Sequence, residues 1–457
     1  MSVGGTAACG SARLRGRRLR GFATLIVLLA VAISTVILLT LQASAFRQAA
    51  AGREAVARVR AKWAARAGLE ATIARLEFNI LNDDQNWSFT QVDDMRAVAS
   101  GQLEGTRWEI RHDDGRGEVE GPADPHAKVN INRMITVDLM ELPNMTEDVA
   151  AAIIDWIDED DIVTDLGAES GYYSQLPSPY APRNGPMRTL FELDLVAGVD
   201  PTLVRGEDWN LNGRLDPNEN DGDLSFPPDN ADGVLDAGWS AHITTRSVDV
   251  GIGVLGAARL DLNVATADQV VELIGIEPAQ ADTVLNYITT QGGRIEDLIG
   301  QPLSLLASAG GGASPFGGAA QSIRNLTDEQ LRKLIDLATT AKIEDGPVPG
   351  RVNINTVRRE TLDYISIFRD QGAGLADLLI LWRDQRPNGF GHILDLLDIP
   401  GISRGLLTTL SQYIDVRSNA YVVTSRGRDT NSGIEVEIVT TIERTTLPVV
   451  ITEMHVR

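Results

Sequence analysis

The sequence predicts an α+β protein with a long N-terminal helix, a small antiparallel sheet and a large, mainly helical domain inserted into that sheet. Three observations lead to this prediction. An uncharged apolar run fills residues 22–41, β-branched residues alternate with other residues near 106–132 and again at 420–456, and the residues between these β regions have mostly helical patterns. The sheet must therefore be assembled from segments on both sides of the helical domain.

The first predicted element is a membrane-spanning helix. Residues 22–41 carry no charge, and about 20 predominantly apolar residues suffice to cross a bilayer. Arginines crowd the N-terminal side alone, which orients that side towards the cytoplasm and the bulk of the chain away from it. A cleavable secretory signal, cut near Ala43-Ser44-Ala45, is the alternative. The arginines are Arg13, Arg15, Arg17, Arg18 and Arg20.

The helix is predicted to continue to residue 80 and to lay an apolar face on a globular body. Residues 46–80 are rich in Ala, Arg, Glu and Leu, and their apolar residues recur at intervals of three and four. The predicted helix therefore covers residues 22–80, with its membrane-spanning part at 22–41. One apolar stripe is Val56, Val59, Trp63 and Ala67, and a second, rotated stripe is Leu69, Ile73, Leu76 and Ile80.

The globular body is predicted to have two parts. Residues 81–132 and 420–457 form the sheet domain, and residues 133–419 form the inserted helical domain. Within the insertion, residues 307–321 are dominated by Gly, Ala and Ser, a composition that predicts a flexible loop.

The insertion contains an internal repeat. A strand-like motif occurs three times, and each copy is followed by a pair of helices with a tight turn between them. The third pair, residues 396–414, lies further downstream of its motif than the other two. Two of the turns, at residues 142–145 and 399–402, resemble the turn of a helix-hairpin-helix. Acidic residues surround the first turn, so we expect these repeats to pack within the protein rather than to contact DNA. The motifs are Val129-Asn130-Ile131-Asn132, Leu260-Asp261-Leu262-Asn263 and Val352-Asn353-Ile354-Asn355.

Residues 208–219 match the calcium loop of an EF-hand position by position. Side-chain ligands are expected at positions one, three, five, nine and twelve, a backbone carbonyl at position seven, and glycine at the sharp turn of position six, which is Gly213 here. We therefore predict a structural Ca²⁺ site. Its ligands are Asp208, Asn210, Asn212, the carbonyl of Arg214, Asp216 and Glu219.

A second acidic run is a weaker candidate for calcium. It comprises Asp158, Asp160, Asp161 and Glu169, without a spacing that assigns individual ligands. A solvated acidic surface is the alternative interpretation of this run.

Composition narrows the function. The chain has 41 basic and 63 acidic residues, a net charge of −22, and such a surface repels nucleic-acid phosphates. The five histidines show no ligand spacing, the single cysteine is Cys9, and no Gly-x-Ser-x-Gly elbow occurs. We therefore expect a structural protein and not an enzyme. Two alternatives stay open: a membrane-tethered DNA-uptake receptor that uses the hairpin turns, and an anchored hydrolase with an unrecognised carboxylate site.

Several motifs together resemble the K-subunit family of minor pseudopilins of the bacterial type II secretion system, also called general secretion pathway protein K. A basic leader ends at Arg20-Gly21 and is followed by Phe22, as in type IV prepilins. Ile26 stands where ordinary pilins carry glutamate, and the K subunit typically lacks that glutamate. Further similar motifs are Asp155-Trp156-Ile157-Asp158, Gly167-Ala168-Glu169, Tyr172-Tyr173, Pro179-Tyr180, Arg183-Asn184, Trp382-Arg383, Phe390 and Ser418-Asn419-Ala420-Tyr421.

The resemblance implies a specific set of expectations. Residues 1–21 would be a leader that prepilin peptidase cuts after Gly21, and Phe22 would become the methylated N-terminus. The sheet domain would be pilin-like, and the protein would sit in the inner membrane as a single-pass protein with its bulk in the periplasm. Its partners would be I- and J-like minor pseudopilins, contacted through the N-terminal helix at the pseudopilus tip. The resemblance also implies that the extracytoplasmic region binds calcium and that the protein does not bind nucleic acid.

Overall fold

The computed structural model describes residues 5, 19–82, 91–249, 257–309, 323–341, 348–372 and 374–457. The chain divides into two compact units, residues 1–59 and residues 60–457. Most of the predicted leader, and residues 310–321 of the predicted glycine-rich loop, lie outside the described residues. Residues 307–309, predicted as the start of that loop, instead belong to a helix, Leu303–Ala309.

Helices occur along the whole described chain, and α1 is far longer than the others. The helices are α1 (Leu19–Leu81), α2 (Val92–Arg96), α3 (Thr136–Leu139), α4 (Glu147–Ile157), α5 (Ser170–Tyr173), α6 (Pro201–Arg205), α7 (Ala267–Ile274), α8 (Pro278–Gln291), α9 (Leu303–Ala309), α10 (Asp328–Leu337), α11 (Arg359–Leu362), α12 (Ser366–Asp370), α13 (Gly374–Asp384) and α14 (Arg404–Leu410).

The strands fall into one large sheet and several two-residue pairs. The strands are β1 (Ser100–Leu103), β2 (Thr106–Asp113), β3 (Glu118–Glu120), β4 (Val129–Asn130), β5 (Ile243–Thr244), β6 (Val248–Asp249), β7 (Leu260–Asp261), β8 (Ala338–Thr339), β9 (Val348–Pro349), β10 (Val352–Asn353), β11 (Ile414–Asp415), β12 (Ala420–Asp429), β13 (Glu435–Glu443) and β14 (Val450–Val456).

The large sheet is antiparallel and joins chain segments from both sides of the helical insertion. Its order is β1-β2-β12-β13-β14, and β3 pairs with β2 at one end. The pairing that unites the two segments is β2 with β12, in which Ile110 lies opposite Ser425. The predicted fold class is confirmed, since a long apolar helix, an antiparallel sheet and many helices are all present.

Residues 60–81 of α1 pack closely on one face of this sheet. Small residues allow the approach: a Cβ atom at Gly427 of β12 would overlap the backbone of Ala61 and Ala65. The Ser425 hydroxyl donates to the carbonyl of Ala65 at 2.9 Å. The core between helix and sheet is completed by Leu69, Leu76, Ile80, Met95, Ile110, Tyr421, Val423, Ile438 and Ile442.

The buried face of α1 differs from the predicted first stripe. Val56, Val59 and Trp63 are exposed, Trp63 by 67%. In the packed part of the helix the buried positions are instead Ala61, Ala64 and Ala65, followed by the predicted second stripe. The physical reason is the close contact with Gly427, because a larger side chain would not fit between helix and strand.

The insertion is built from three modules, each closed by a short parallel strand pair. The strand motifs predicted as a repeat form β4, β7 and β10, and each pairs with a strand at the end of its module: β4 with β5, β7 with β8, and β10 with β11. In the first and third modules the last Asn of the motif binds both backbone groups of one distant residue. Asn132 holds Met187, and Asn355 holds Phe390.

Each module has a second recurring part that sequence comparison did not identify. A capped 3-10 helix recurs in all three modules, and at least one α-helix follows it before the closing strand: Leu190–Leu195, Ile295–Ile299 and Ile393–Asp398. The predicted third helical pair, residues 396–414, belongs to this second part, whereas the first two pairs follow their strands directly. The difference arises because α11, α12 and α13 lie between β10 and that pair. The helix-hairpin-helix assignment itself stays a prediction.

Ion pairs connect the modules to one another. Arg351, at the start of the third module, is partly buried and contacts Asp249 at 2.8 Å, Glu296 at 3.0 Å and Asp415 at 2.6 Å. These carboxylates come from β6, the second module and β11. One guanidinium therefore fixes three chain segments, with the directional bonding that suits arginine.

We predict that Gly427→Ala destabilises the protein by about 1–3 kcal/mol, because the added methyl group forces α1 away from the sheet. Denaturation of the full chain in detergent measures the change. Gly405→Ala is the matched control, since its nearest neighbouring atom is 4.0 Å from the new Cβ. Equal stabilities of the two variants would contradict the close packing described above.

Candidate metal centres

The first candidate centre is formed by the end of α4 and the loop that follows it. Asp155 and Asp158 are three residues apart, a spacing that places both carboxylates on one side of a helix. The loop then turns back, and the Thr164 amide donates to both oxygens of Asp155 at 3.1 and 3.2 Å. Glu169, immediately before α5, completes the group. One oxygen from each of these three carboxylates lies within 4.8 Å of the others.

Glu169 is the residue that most clearly indicates a cation. Its side chain is 1% exposed, and neither carboxylate oxygen has a hydrogen-bond partner. Burial raises the pKa of Glu169 to about 7, and the charges of Asp155 and Asp158 add to the rise. Burial and the charge of Asp160 likewise raise the pKa of Asp158, whose Oδ1 is also without a partner. Buried carboxylates at such distances require either protons or a metal ion.

This centre differs in membership from the predicted second acidic run. Asp158 and Glu169 belong to it, whereas Asp160 and Asp161 are exposed. Asp160 accepts from the Ile162 amide at 2.8 Å, and Asp161 accepts from the Ser170 amide at 3.3 Å. Sequence reasoning missed Asp155 as a member. The spacing of Asp155 and Asp158 at the end of a helix was the available signal.

Aromatic side chains pack against one another beside the first centre. Trp156 contacts Tyr173 edge to face, with ring centroids 5.3 Å apart, and Tyr173 contacts Tyr180 at 5.2 Å. The Tyr173 hydroxyl accepts a hydrogen bond from the Ala197 amide. Gly167 lies so close to Asp155 that a Cβ atom would overlap the carboxylate. The carboxylates are therefore held in place by tightly packed surroundings.

The second candidate centre is the EF-like loop of residues 208–219. Asp208 is buried, and its two oxygens accept from the amides of Asn212 and Gly213, both at 3.0 Å. Gly213 has φ +68°, the left-handed conformation that a glycine at position six permits. The side-chain Nδ2 atoms of Asn210 and Asn212 both donate to Asp216 Oδ2, at 3.0 and 2.9 Å. These contacts bring the side chains of Asn210, Asn212 and Asp216 together.

Glu219 closes this loop with one free oxygen. Its Oε2 accepts from the Asp216 amide at 3.0 Å, while Oε1 is buried without a hydrogen-bond partner. Burial raises the pKa of Glu219 to about 7, with further increases from Asp208 and Asp216. Burial also raises the pKa of Asp208 to about 6. Arg214, predicted to contribute its carbonyl, turns its side chain outwards to Glu118 at 3.0 Å.

The predicted processing site lies in the first unit. Gly21 and Phe22 fall within α1, and the Phe22 side chain is exposed. The most apolar 18-residue window in Phe22–Leu81 has a mean hydropathy of 2.8, and none of it is buried. By its length and composition, this helix of the described residues is long enough and apolar enough to cross a membrane.

A large cavity lies beside the sheet. Its volume is about 1060 Å³, and Lys128, His112 and His242 are among its lining residues. Each of these three side chains has a structural contact: Lys128 donates to the Ser240 carbonyl at 2.6 Å, His112 contacts the Gly121 carbonyl, and His242 contacts Thr361. Burial lowers the pKa of Lys128 to about 8 and that of His242 to about 4.

Comparison with known proteins identifies one segment. Residues 116–206 match the family model described as type II secretion system (T2SS), protein K. This segment contains the first candidate centre and most of the first module before the EF-like loop. The resemblance predicted from the motifs is therefore confirmed for these residues.

One relative and one solved structure are similar to this chain. The chain is 38% identical over 73 residues to the type II secretion system protein K of Pectobacterium carotovorum subsp. carotovorum, a match that spans 16% of this chain and 22% of that relative. A crystal structure of the GspK-GspI-GspJ complex from enterotoxigenic Escherichia coli is similar with a TM-score of 0.44 and 13% identity. That similarity covers 89% of this chain and 99% of the other.

Proposed function

We propose that this chain is a minor pseudopilin of a type II secretion system, with a structural role at the tip of the pseudopilus. The observation that carries the proposal is the match of residues 116–206 to the protein K family, in a chain whose α1 is long and apolar enough to span a membrane. On this proposal the N-terminus is cytoplasmic and the remainder periplasmic, as the one-sided arginines favour. The protein contributes to secretion by assembly and not by catalysis.

The N-terminal helix is the proposed assembly element. Its apolar residues from Phe22 to Leu41 are exposed in the isolated chain, so they are available to lipid and to the helices of other subunits. Ile26 brings no carboxylate into the membrane, so this subunit needs no partner amine at that depth. A subunit at the tip has this freedom, because no further subunit stacks above it. The proposed partners are I- and J-like minor pseudopilins, and prepilin peptidase acts first.

The centre of Asp155, Asp158 and Glu169 is proposed to hold Ca²⁺. Calcium prefers carboxylate and carbonyl oxygens, and all three side chains are oxygen donors. The two unpartnered oxygens of Glu169 fit a buried cation better than they fit an empty polar site. Bound calcium would neutralise the carboxylates and fix the loop between α4 and α5.

We predict that Gly21→Trp blocks maturation, because prepilin peptidase requires the small residue before its cut. The membrane-bound protein should keep the mass of the full chain, whereas Gly16→Trp, a control in the same leader, should be processed. Mass spectrometry of the wild-type protein should find an N-methylated Phe22. A mature chain that begins at residue 46 would instead establish an ordinary secretory signal and overturn the pseudopilin proposal.

We predict opposite effects of Glu169→Gln with and without calcium. Two charges about 5 Å apart repel by about 3 kcal/mol at an effective dielectric constant of 20, so removing one should stabilise the metal-free protein by about 1–3 kcal/mol. At a calcium concentration a hundred times the dissociation constant, the wild type should gain about 2.7 kcal/mol, and the variant should lose most of this gain.

Melting curves of the full chain in EDTA and in calcium measure both effects. Glu159→Gln, an exposed neighbour, is the matched control and should behave like the wild type. Destabilisation of Glu169→Gln in EDTA together with an unchanged calcium response would exclude the site.

The DNA-uptake alternative makes a different prediction. The first hairpin turn is occupied by internal packing, since the Trp239 indole donates to the Pro143 carbonyl at 2.8 Å and Leu142 is buried. We therefore expect no measurable binding of duplex DNA at physiological salt. Micromolar, salt-dependent binding that changes at Pro143 or Gly401 would favour the DNA-uptake receptor instead.

A further inference from the structure

The EF-like loop connects the helical insertion to the large sheet, on the face opposite α1. In β12, Ser425 and Gly427 face α1, whereas the alternate residues Thr424 and Arg426 face the loop. The Thr424 hydroxyl donates to the Asn212 carbonyl at 3.2 Å. The loop therefore occupies the second face of the strand that joins the two halves of the sheet.

Further hydrogen bonds connect the EF-like loop to neighbouring strands of the sheet. The Asp113 amide of β2 donates to the Gly213 carbonyl at 2.6 Å. The Asn212 side chain donates to Glu437 of β13 at 3.3 Å, and Arg457, just after β14, donates to the Asn210 carbonyl at 2.9 Å. The same few loop residues that supply predicted calcium ligands thus bind the sheet through their other groups.

Charged contacts complete the attachment. Buried Arg214 contacts Glu118 of β3, and Arg426 of β12 contacts both Asp216 Oδ1 at 3.1 Å and Glu437 at 2.9 Å. Asp216 therefore uses one oxygen towards the sheet and turns the other, Oδ2, towards the centre of the loop. The loop has an outer side that binds the sheet and an inner side on which the carboxylates of Asp208 and Asp216 accept hydrogen bonds from other loop residues.

The inner side is incomplete without a cation. Glu219 is 1% exposed, its Oε1 has no hydrogen-bond partner, and it lies beside the charges of Asp208 and Asp216. An unpaired buried carboxylate oxygen of this kind needs a cation or a donor. Carboxylate and amide oxygens that already accept one hydrogen bond, such as those of Asp208 and Asn212, keep a second lone pair for a metal.

We propose that residues 208–219 bind one Ca²⁺ and that this ion acts as a clasp that fastens the insertion to the sheet. The cation neutralises Asp208, Asp216 and Glu219 and so holds the loop in the conformation whose outer side contacts β2, β3, β12 and β13. Without the ion, repulsion among these carboxylates loosens the outer contacts as well. The clasp is independent of the proposed pseudopilin function, since it rests on contacts within this chain alone.

The experiment combines calcium titration with hydrogen exchange on the full chain in detergent. Calorimetry with CaCl₂ should show binding in the range of about 10⁻⁴ to 10⁻³ M that is typical of extracellular calcium modules, and MgCl₂ should bind more weakly. Glu219→Gln should weaken binding at this loop at least tenfold. Asp223→Asn, an exposed acid nearby in the chain, is the matched control and should leave the titration unchanged. Glu169→Gln should leave this site intact, so the two centres are counted separately.

Hydrogen exchange tests the clasp itself. Calcium should increase the protection of β12 and β13 as well as of the loop in the wild type and in Asp223→Asn, and should not do so in Glu219→Gln. A second variant, Glu219→Asp, keeps the charge but shortens the reach, and it should also lose the effect. The proposal is overturned if no calcium binds at millimolar concentration, or if Glu219→Gln and Glu219→Asp bind as the wild type does. It is equally overturned if calcium protects the loop and leaves β12 and β13 unchanged.

Discussion

The antiparallel pairing of β2 with β12 is the interaction on which the rest of the structure depends. It joins residue 110 to residue 425 and so closes the chain around the whole insertion. Closure of so long a loop costs conformational entropy, which the contacts of the folded sheet must offset. Both faces of β12 are consequently used: α1 packs on Gly427 and Ser425, and the EF-like loop binds Thr424 and Arg426. The central strand β12 is therefore covered on both sides.

Negative charge has a definite place in this arrangement. A chain with a net charge of −22 would be expected to keep its carboxylates in water, yet Glu169, Asp208 and Glu219 are buried. Buried carboxylates are stable only when donors or cations surround them. At Arg351 the protein supplies such a cation itself, because three carboxylates surround one guanidinium group. At Glu169 and Glu219 the described residues provide no comparable base, and that difference separates the candidate metal centres from the structural ion pairs.

The sequence predicts the elements of this fold much better than their contacts. Hydrophobic period and alternation identify α1 and the main strands, because these patterns depend on local geometry. The prediction that Val56, Val59 and Trp63 form a buried stripe was wrong, although their spacing has the period of an apolar helix face. Alanines face the sheet instead, because Gly427 lies so close to the helix that only small side chains fit between them. The EF-like loop was predictable, since its ligands are contiguous. The role of Asp155 was harder to see, because Glu169 reaches it only through the fold of the intervening loop. Two-residue parallel pairs such as β4 with β5 are beyond pattern reasoning, since their partners are distant in sequence.

The three modules show how the packing framework and the metal centres are separated. Each module has a closing strand pair and a capped 3-10 helix, and both parts contribute residues to the core. Both candidate metal centres lie in the first module, one after α4 and the other after α6, in segments between these common parts. The first module also adjoins β3 directly in the chain, and its EF-like loop contacts β2, β3, β12 and β13. A cation bound in the EF-like loop, as proposed above, would act where the insertion meets the sheet.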